Sequence, residues 1–162
     1  WRRQANVCIP LWKRGTKTVK MPVYMSDVAE GVVNALMDPE AEGKTFECVG
    51  PNSYLLSELV DYFYRCMRYD IHYRVPLNPL FSATVKMFDT MPAASPILSK
   101  ERVEREHVSD ILTGNPTLEA LNVNLTRIED RAMFELKMFR RHNYYEEKVG
   151  EYAEPAPPMV LH

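Results

Sequence analysis

A mixed α/β fold follows from three features of the chain. Apolar residues alternate along a short run near its start. They then recur at helical spacing in two segments that are interleaved with strand signals. Prolines break the second half into short, mostly helical pieces.

Residues 1–17 read as irregular, with Pro10, Gly15 and scattered bases. A strand is predicted over Thr18–Met25, where Val19, Met21, Val23 and Met25 alternate with Lys20, Pro22 and Tyr24. Pro22 lacks a donor, which places this strand near an edge. Ser26 is the expected N-cap of a helix running to about Met37, with Val28, Val32, Ala35 and Leu36 as its apolar stripe. Asp38-Pro39 and Gly43 close that helix. Lys44–Gly50 reads as a second strand, anchored by Phe46 and Val49 and broken at Gly50-Pro51-Asn52. A second helix is predicted from about Leu55 to Arg68, with Leu56, Leu59, Val60, Phe63 and Met67 on one face. His72–Val75 reads as a third strand, ended by Pro76.

Prolines at 76, 79, 92 and 96 then predict short helices joined by turns. Leu80–Met91 and Ser99–His107 are two of them, the latter with Ser99 as N-cap and Leu98 and Val103 as a hydrophobic staple. Thr126-Arg127-Ile128-Glu129 forms a capping box. It opens a helix to about Arg141 with Ile128, Ala132, Leu136 and Phe139 as its buried stripe. The end, with Pro155, Pro157 and Pro158, is too proline-rich for regular structure and should be extended, free or laid along a partner.

The 162 residues suit one domain or a large piece of one, and 46% hydrophobic residues suffice for a core. Lys+Arg total 20 against 22 acids, so the net charge of -2 argues against a nucleic-acid binder. Charge is nevertheless uneven. Residues 1–20 carry Arg2, Arg3, Lys13, Arg14, Lys17 and Lys20 and no acid, whereas Glu146, Glu147, Glu151 and Glu154 face only Lys148 in the tail. Such asymmetry marks partner surfaces or simply two solvated ends. Cys8, Cys48 and Cys66 are widely spaced, as expected of reduced thiols. No stretch approaches the ~20 apolar residues of a membrane span. Trp1 rather than Met opens the chain, so it is expected to begin inside a longer protein. Asn124-Leu125-Thr126 is a formal glycosylation sequon, read as chance.

Three consecutive pieces carry a family resemblance. Pro22–Leu36 (PVYMSDVAEGVVNAL), Gly43–Pro51 (GKTFECVGP) and Tyr54–Phe63 (YLLSELVDYF) resemble, in order and spacing, the later strand–helix–strand–helix of extended short-chain dehydrogenases/reductases. With ILSKERVEREHVSDIL and TLEALNV added, the chain resembles the nucleotide-binding accessory subunits of mitochondrial complex I (NADH:ubiquinone oxidoreductase) over roughly residues 10–140. This implies the C-terminal part of a Rossmann-like parallel sheet, two or three strands here, followed by a small helical subdomain. Residues 1–75 would complete the nucleotide-binding domain, 76–143 form the helical subdomain, and 144–162 an acidic, proline-rich docking tail. The resemblance further implies bound NADPH in the whole subunit and a structural rather than redox role. It implies neighbouring complex I subunits as partners, on the matrix side of the inner mitochondrial membrane.

The family pattern is incomplete. Gly15, Gly31, Gly43, Gly50, Gly114 and Gly150 match neither G-x-G-x-x-G nor G-x-x-G-x-x-G, so the loop that brings a pyrophosphate to a helix N-terminus is missing. Only Tyr144 has a lysine four positions on, Lys148, and that pair lies in the acidic tail after the quoted pieces, whereas the family's Tyr-x-x-x-Lys precedes them and is missing here. No catalytic residue can therefore be carried over. The different-class alternative is the substrate-binding half of an active NADP-dependent reductase or epimerase, decided by Tyr-x-x-x-Lys elsewhere in the protein. A plain interaction domain without ligand is a third.

Among candidate residues, Lys13 and Arg14, with Lys17 and Lys20, could face a cofactor phosphate, a lipid headgroup or an acidic partner. They could equally form a solvated loop. Trp1 and Trp12 beside them suit a protein or membrane contact. Asp27 is either a polar group near the cleft or, preferably, a first-turn acid favoured by the helix dipole. His72, His107, His142 and His162 lack metal-ligand spacing. Tyr62, Tyr64, Tyr69, Tyr73, Tyr144, Tyr145 and Tyr152 exceed what one core needs and suggest docking.

Overall fold

The computed structural model describes residues 8–69, 73–76, 83, 86, 105, 107–141 and 153–161. Strands β1 (Cys8–Leu11) and β4 (Tyr73–Pro76) pair in parallel, Cys8 opposite Tyr73 and Leu11 opposite Pro76. Strands β2 (Val19–Lys20), β3 (Ser53–Leu55) and β5 (Val160–Leu161) form an antiparallel sheet with β3 in the middle. Helices α1 (Met25–Met37), α2 (Leu56–Cys66) and α3 (Ile128–Glu135) complete the frame, joined by several 3₁₀ turns. The fold is mixed α/β, as expected, and consistent with part of a Rossmann-like domain. Its parallel component is the β1–β4 pair.

Helix α2 is the centre. Leu11, Leu56, Val60, Tyr64 and Met67 form one buried cluster, with Phe63, Leu136 and Phe139 packed against it. Tyr62, Cys66 and Ala132 form another on the opposite flank, where α3 docks. Glu58 in the first turn and Arg65 in the last complement the helix dipole. The helix closes in a Schellman motif. Tyr69 N–H donates to Tyr64 O at 3.0 Å and Arg68 N–H to Arg65 O at 3.0 Å, with Arg68 left-handed at φ 60°. The Tyr64 and Tyr69 rings meet edge-on at 6.4 Å and supply the hydrophobic contact usual to that motif. A third cluster, Ala41, Leu118, Leu121 and Val123, holds α1 through Val28 and Ala35.

Several expectations are corrected. The strand over Thr18–Met25 shrinks to Val19–Lys20, because the next donor, Met21 N–H, goes to the Asp110 carboxylate at 2.9 Å. Pro22 then offers no donor at all. Helix α1 starts at Met25 with Tyr24 as N-cap and no side-chain cap, so Ser26 does not cap it. Of its predicted stripe, Val28 and Ala35 pack inward, but Val32 and Leu36 are exposed. The buried side turns instead through Asp27 and Gly31. A Cβ on Gly31 would come within 2.6 Å of Leu118 Cδ2, so the missing side chain permits this close approach. Lys44–Gly50 is no strand but a single parallel bridge, Glu47 to Thr117. Gly50 there abuts the Pro22 carbonyl so closely that any Cβ would collide with it.

The capping box before α3 is also not formed. Arg127 is the N-cap, while Thr126 and Glu129 serve distant partners described below. Helix α3 ends at Glu135 and continues as a 3₁₀ turn over Lys137–Phe139. Its predicted stripe does face the core, with Ala132 buried and Ile128, Leu136 and Phe139 packed against it.

The tail reading is amended. Residues 153–159 carry no regular structure, as their prolines require, but Val160–Leu161 adds to the chain's own sheet along β3. Ser53 Oγ donates to Leu161 O at 2.9 Å, Arg65 donates to Ala156 O at 3.3 Å, and Pro158 is buried. The predicted strand at 72–75 is found as β4. Of the two helices expected at 80–91 and 99–107, residues 83, 86, 105 and 107 are helical, and the remainder lies outside the described residues.

Candidate functional site

The basic loop lies between β1 and β2. Trp12–Gly15 makes a 3₁₀ turn in which Arg14 and Gly15 are both left-handed, at φ 60° and 74°. Gly15 is buried, and a Cβ there would lie 3.0 Å from Ser57 N. The turn therefore sits against the first residues of α2. Arg14 on it, and Lys17 two residues after it, are exposed. Lys20 is separated from them in role, since its ammonium pairs with Asp110 at 3.2 Å. The side chains of Lys13 and Trp12, and the whole of Trp1, lie outside the described residues, as do His72, His142 and His162. The structure thus leaves Arg14 and Lys17 exposed between β1 and β2 and sets Lys20 apart in an ion pair.

A second strip runs beside β2. Thr18 Oγ1 donates to His107 O at 3.2 Å, Val19 N–H to Ser109 Oγ at 3.1 Å, and Asp110 N–H to Val19 O at 3.0 Å. Residues 107–110 so occupy the outer edge of β2 without forming a strand. Farther on, the Glu47 carboxylate accepts from Thr113 N–H at 2.9 Å, from Thr113 Oγ1 at 2.5 Å and from Asn115 N–H at 3.0 Å. These donors, the Thr113 hydroxyl foremost, hold the Glu47 carboxyl below its ordinary value. Sequence reasoning missed Ser109, Asp110 and Glu47. The only signal was the pairing of polar, turn-favouring residues with apolar ones in 107–115.

Asp27 is buried and accepts from Thr126 twice, from its N–H at 2.6 Å and its hydroxyl at 2.9 Å. It ties the start of α1 to the approach to α3 across 99 residues, which makes it a structural clamp. Tyr54, almost wholly buried, donates to Glu129 at 2.8 Å and accepts from Asn52 at 3.1 Å. Burial, reinforced by Glu129, pushes its phenol up to about 12. Burial likewise raises Tyr62, Tyr64 and the Cys66 thiol. These groups stay protonated near neutrality, the reverse of an activated acid, base or nucleophile. Tyr62 and Tyr64 are core residues, so the docking expectation for them is withdrawn. Burial, rather than a partner, uses their area, with each phenol finishing an otherwise apolar flank of α2. Among the described residues no three His, Cys, Asp or Glu side chains cluster as a metal site. No described helix is long and apolar enough to cross a membrane.

The chain also shows apolar surface. On α1, Met25, Val32, Val33, Leu36 and Met37 are all more than half exposed, up to 81% at Met25. Their spacing puts them on the side of the helix opposite Asp27 and Gly31. At its start, Tyr24 is covered by the Arg131 guanidinium 4.9 Å from the ring centre, which also donates to its hydroxyl at 2.6 Å.

Comparison with known proteins gives the chain its kin. It is 42% identical over 157 residues to the mitochondrial NADH dehydrogenase [ubiquinone] 1 alpha subcomplex subunit 9 of Mus musculus, and 39% identical over 157 residues to that of Rattus norvegicus. Each alignment covers 96% of this chain and 40% of the relative. The chain therefore spans about 40% of the length of the curated relatives it matches. No family model matches it. Identity this high over nearly the whole chain makes these proteins its homologues, and the resemblance to complex I accessory subunits holds.

Proposed function

We propose that this homologue of the alpha subcomplex subunit 9 of NADH dehydrogenase [ubiquinone] works as a structural accessory subunit of respiratory complex I. The observation that carries the reading is the identity to those subunits along 96% of the chain. The exposed apolar face of α1 supports it, because contiguous apolar surface of this kind marks a protein–protein contact. The place of action is the matrix side of the inner membrane. Neighbouring complex I subunits are the partners, and lipid headgroups lie within reach of the basic loop. NADPH belongs to the full-length subunit, held chiefly by elements these 162 residues lack. Lys13 and Arg14 contribute at most a peripheral phosphate contact. The described residues act as clamps and fillers, with no redox step assigned to any of them.

The test is isolation of the complex through a tag on the full-length protein. Wild type should co-purify with NADH:ubiquinone oxidoreductase and retain NADPH. Exchanging Val33 and Leu36 for Asp should abolish co-purification while leaving the protein folded. Turnover of an NADP-linked substrate by the free protein, without association, would instead establish the reductase or epimerase alternative.

A further inference from the structure

The segment 107–115 is inside out. Several of its polar side chains and main-chain groups bond to the protein, while Val108 and Ile111 are mostly exposed and Leu112 stands half exposed at the rim of a cleft beside Met21 and Gly50. Ser109, Asp110, Thr113 and Asn115 all bond to β2, Met21 or Glu47. Between them, Val108 is 61% exposed, Ile111 79% and Leu112 48%. A loop ordered only for its own sake would do the reverse. Single exposed apolar residues are ordinary, but three within five positions on a backbone pinned at both ends form a fixed ridge.

The ridge continues the basic loop. Thr18 bonds to His107 O and Val19 to Ser109, so exposed Lys17 and exposed Val108 each adjoin in sequence a residue of this bonded strip. Arg14 is exposed three residues earlier, and residues 1–20 contain no acid. The nearby carboxylate of Asp110 is already matched by Lys20. Cationic side chains beside a rigid apolar ridge complement an anionic bilayer surface: bases meet headgroups while apolar tips enter the acyl boundary. The α1 face differs, since its first-turn acid Asp27 is buried and no base sits in its last turn.

We propose that Val108, Ile111 and Leu112 insert into the headgroup region of an anionic phospholipid membrane, with Arg14 and Lys17 binding the lipid phosphates. This deepens the lipid contact of the functional reading and rests on it for location, but the contact itself is testable apart from complex I. Insertion is reversible and peripheral, because three side chains bury too little area for permanent anchoring.

Flotation of the full-length protein with vesicles provides the test. Phosphatidylcholine vesicles containing phosphatidylglycerol should carry it, and pure phosphatidylcholine vesicles should not. Replacing both Ile111 and Leu112 by Ser should lower partitioning at least about tenfold. Arg14→Ala or Lys17→Ala should each lower it about fivefold and weaken its salt dependence. Ile111→Trp should gain fluorescence that brominated lipids quench. Binding that survives the double Ser variant, or an unquenched Trp, would overturn insertion and leave surface adsorption alone. Loss of co-purification with complex I in the Ser variant, with no vesicle binding by wild type, would assign the ridge to a protein partner and overturn the lipid proposal. Failure of wild type to co-purify with complex I, with vesicle insertion intact, would instead count against the functional reading only.

Discussion

At the scale of residues, two carboxylates connect distant parts of the chain. Asp27 was legible as a first-turn acid, and it occupies that turn, but its partner Thr126 was not, because nothing local joins positions 99 residues apart. The same bond explains the failed capping box. Thr126 turns its hydroxyl to Asp27, and Glu129 takes the Tyr54 phenol instead of reaching back. Asp27→Ala would leave the part-buried Thr126 N–H and hydroxyl unmatched. A loss of about 2 kcal/mol is expected, read as a lower midpoint in urea unfolding. An unchanged midpoint would show the clamp to be idle. Glu47 predicts a pH effect. Its folded-state value lies below the ordinary 4.5, so the fold favours the ionised form. Its contribution is complete above 4.5 and is lost as pH falls from there through the depressed folded value. Amide exchange at Thr113 and Asn115, corrected for intrinsic rates, should therefore speed up on acidification across that window in wild type. Glu47→Gln should show faster exchange already at neutral pH and no such step.

At the scale of elements, helices were far more legible than strands. Helix α2 and the two anchors of α1 follow from apolar spacing, since a helix of eleven or thirteen residues repeats its pattern several times. Strands of two to four residues repeat nothing, and their bounds depend on which groups compete for the backbone. Asp110 took the donor that the predicted strand needed at Met21. Periodicity also cannot say which apolar stripe meets the core. On α1 the glycine at 31, not the bulkier Val32 or Leu36, marks the side of closest approach. The strand β5 was illegible because two residues beyond a proline run carry no pattern at all. Its placement changes what truncation should do. Deleting 153–162 removes the pairing on β3 and uncovers an edge beside the core residue Tyr54. The thermal midpoint should fall by a few degrees, as a loss of about 1 kcal/mol would give in a domain of this size. An unmoved midpoint would restore the tail to a purely docking role.

At the scale of the whole molecule, what the chain holds and what it lacks lead to a statement about the cofactor. Dinucleotide affinity in Rossmann-like folds comes largely from the pyrophosphate at a helix N-terminus, where glycines let backbone N–H groups approach and the dipole favours the anion. None of the six glycines of this sequence has that spacing. Gly15, the one beside the start of α2, is itself buried against Ser57, so the space a phosphate would need there is filled. What remains is Arg14, exposed, with Lys13 and Lys17 beside it in sequence. An exposed ionic contact contributes ~0–1 kcal/mol, whereas micromolar binding requires about 8 kcal/mol. Even three such contacts fall short by more than half. Residues 1–162 alone should therefore show no heat of NADPH binding in calorimetric titration, while the full-length protein should bind it. A micromolar dissociation constant for the isolated chain, abolished by Lys13→Ala with Arg14→Ala, would move the nucleotide site onto the basic turn. It would also make that turn, rather than the missing glycine loop, the determinant of cofactor affinity.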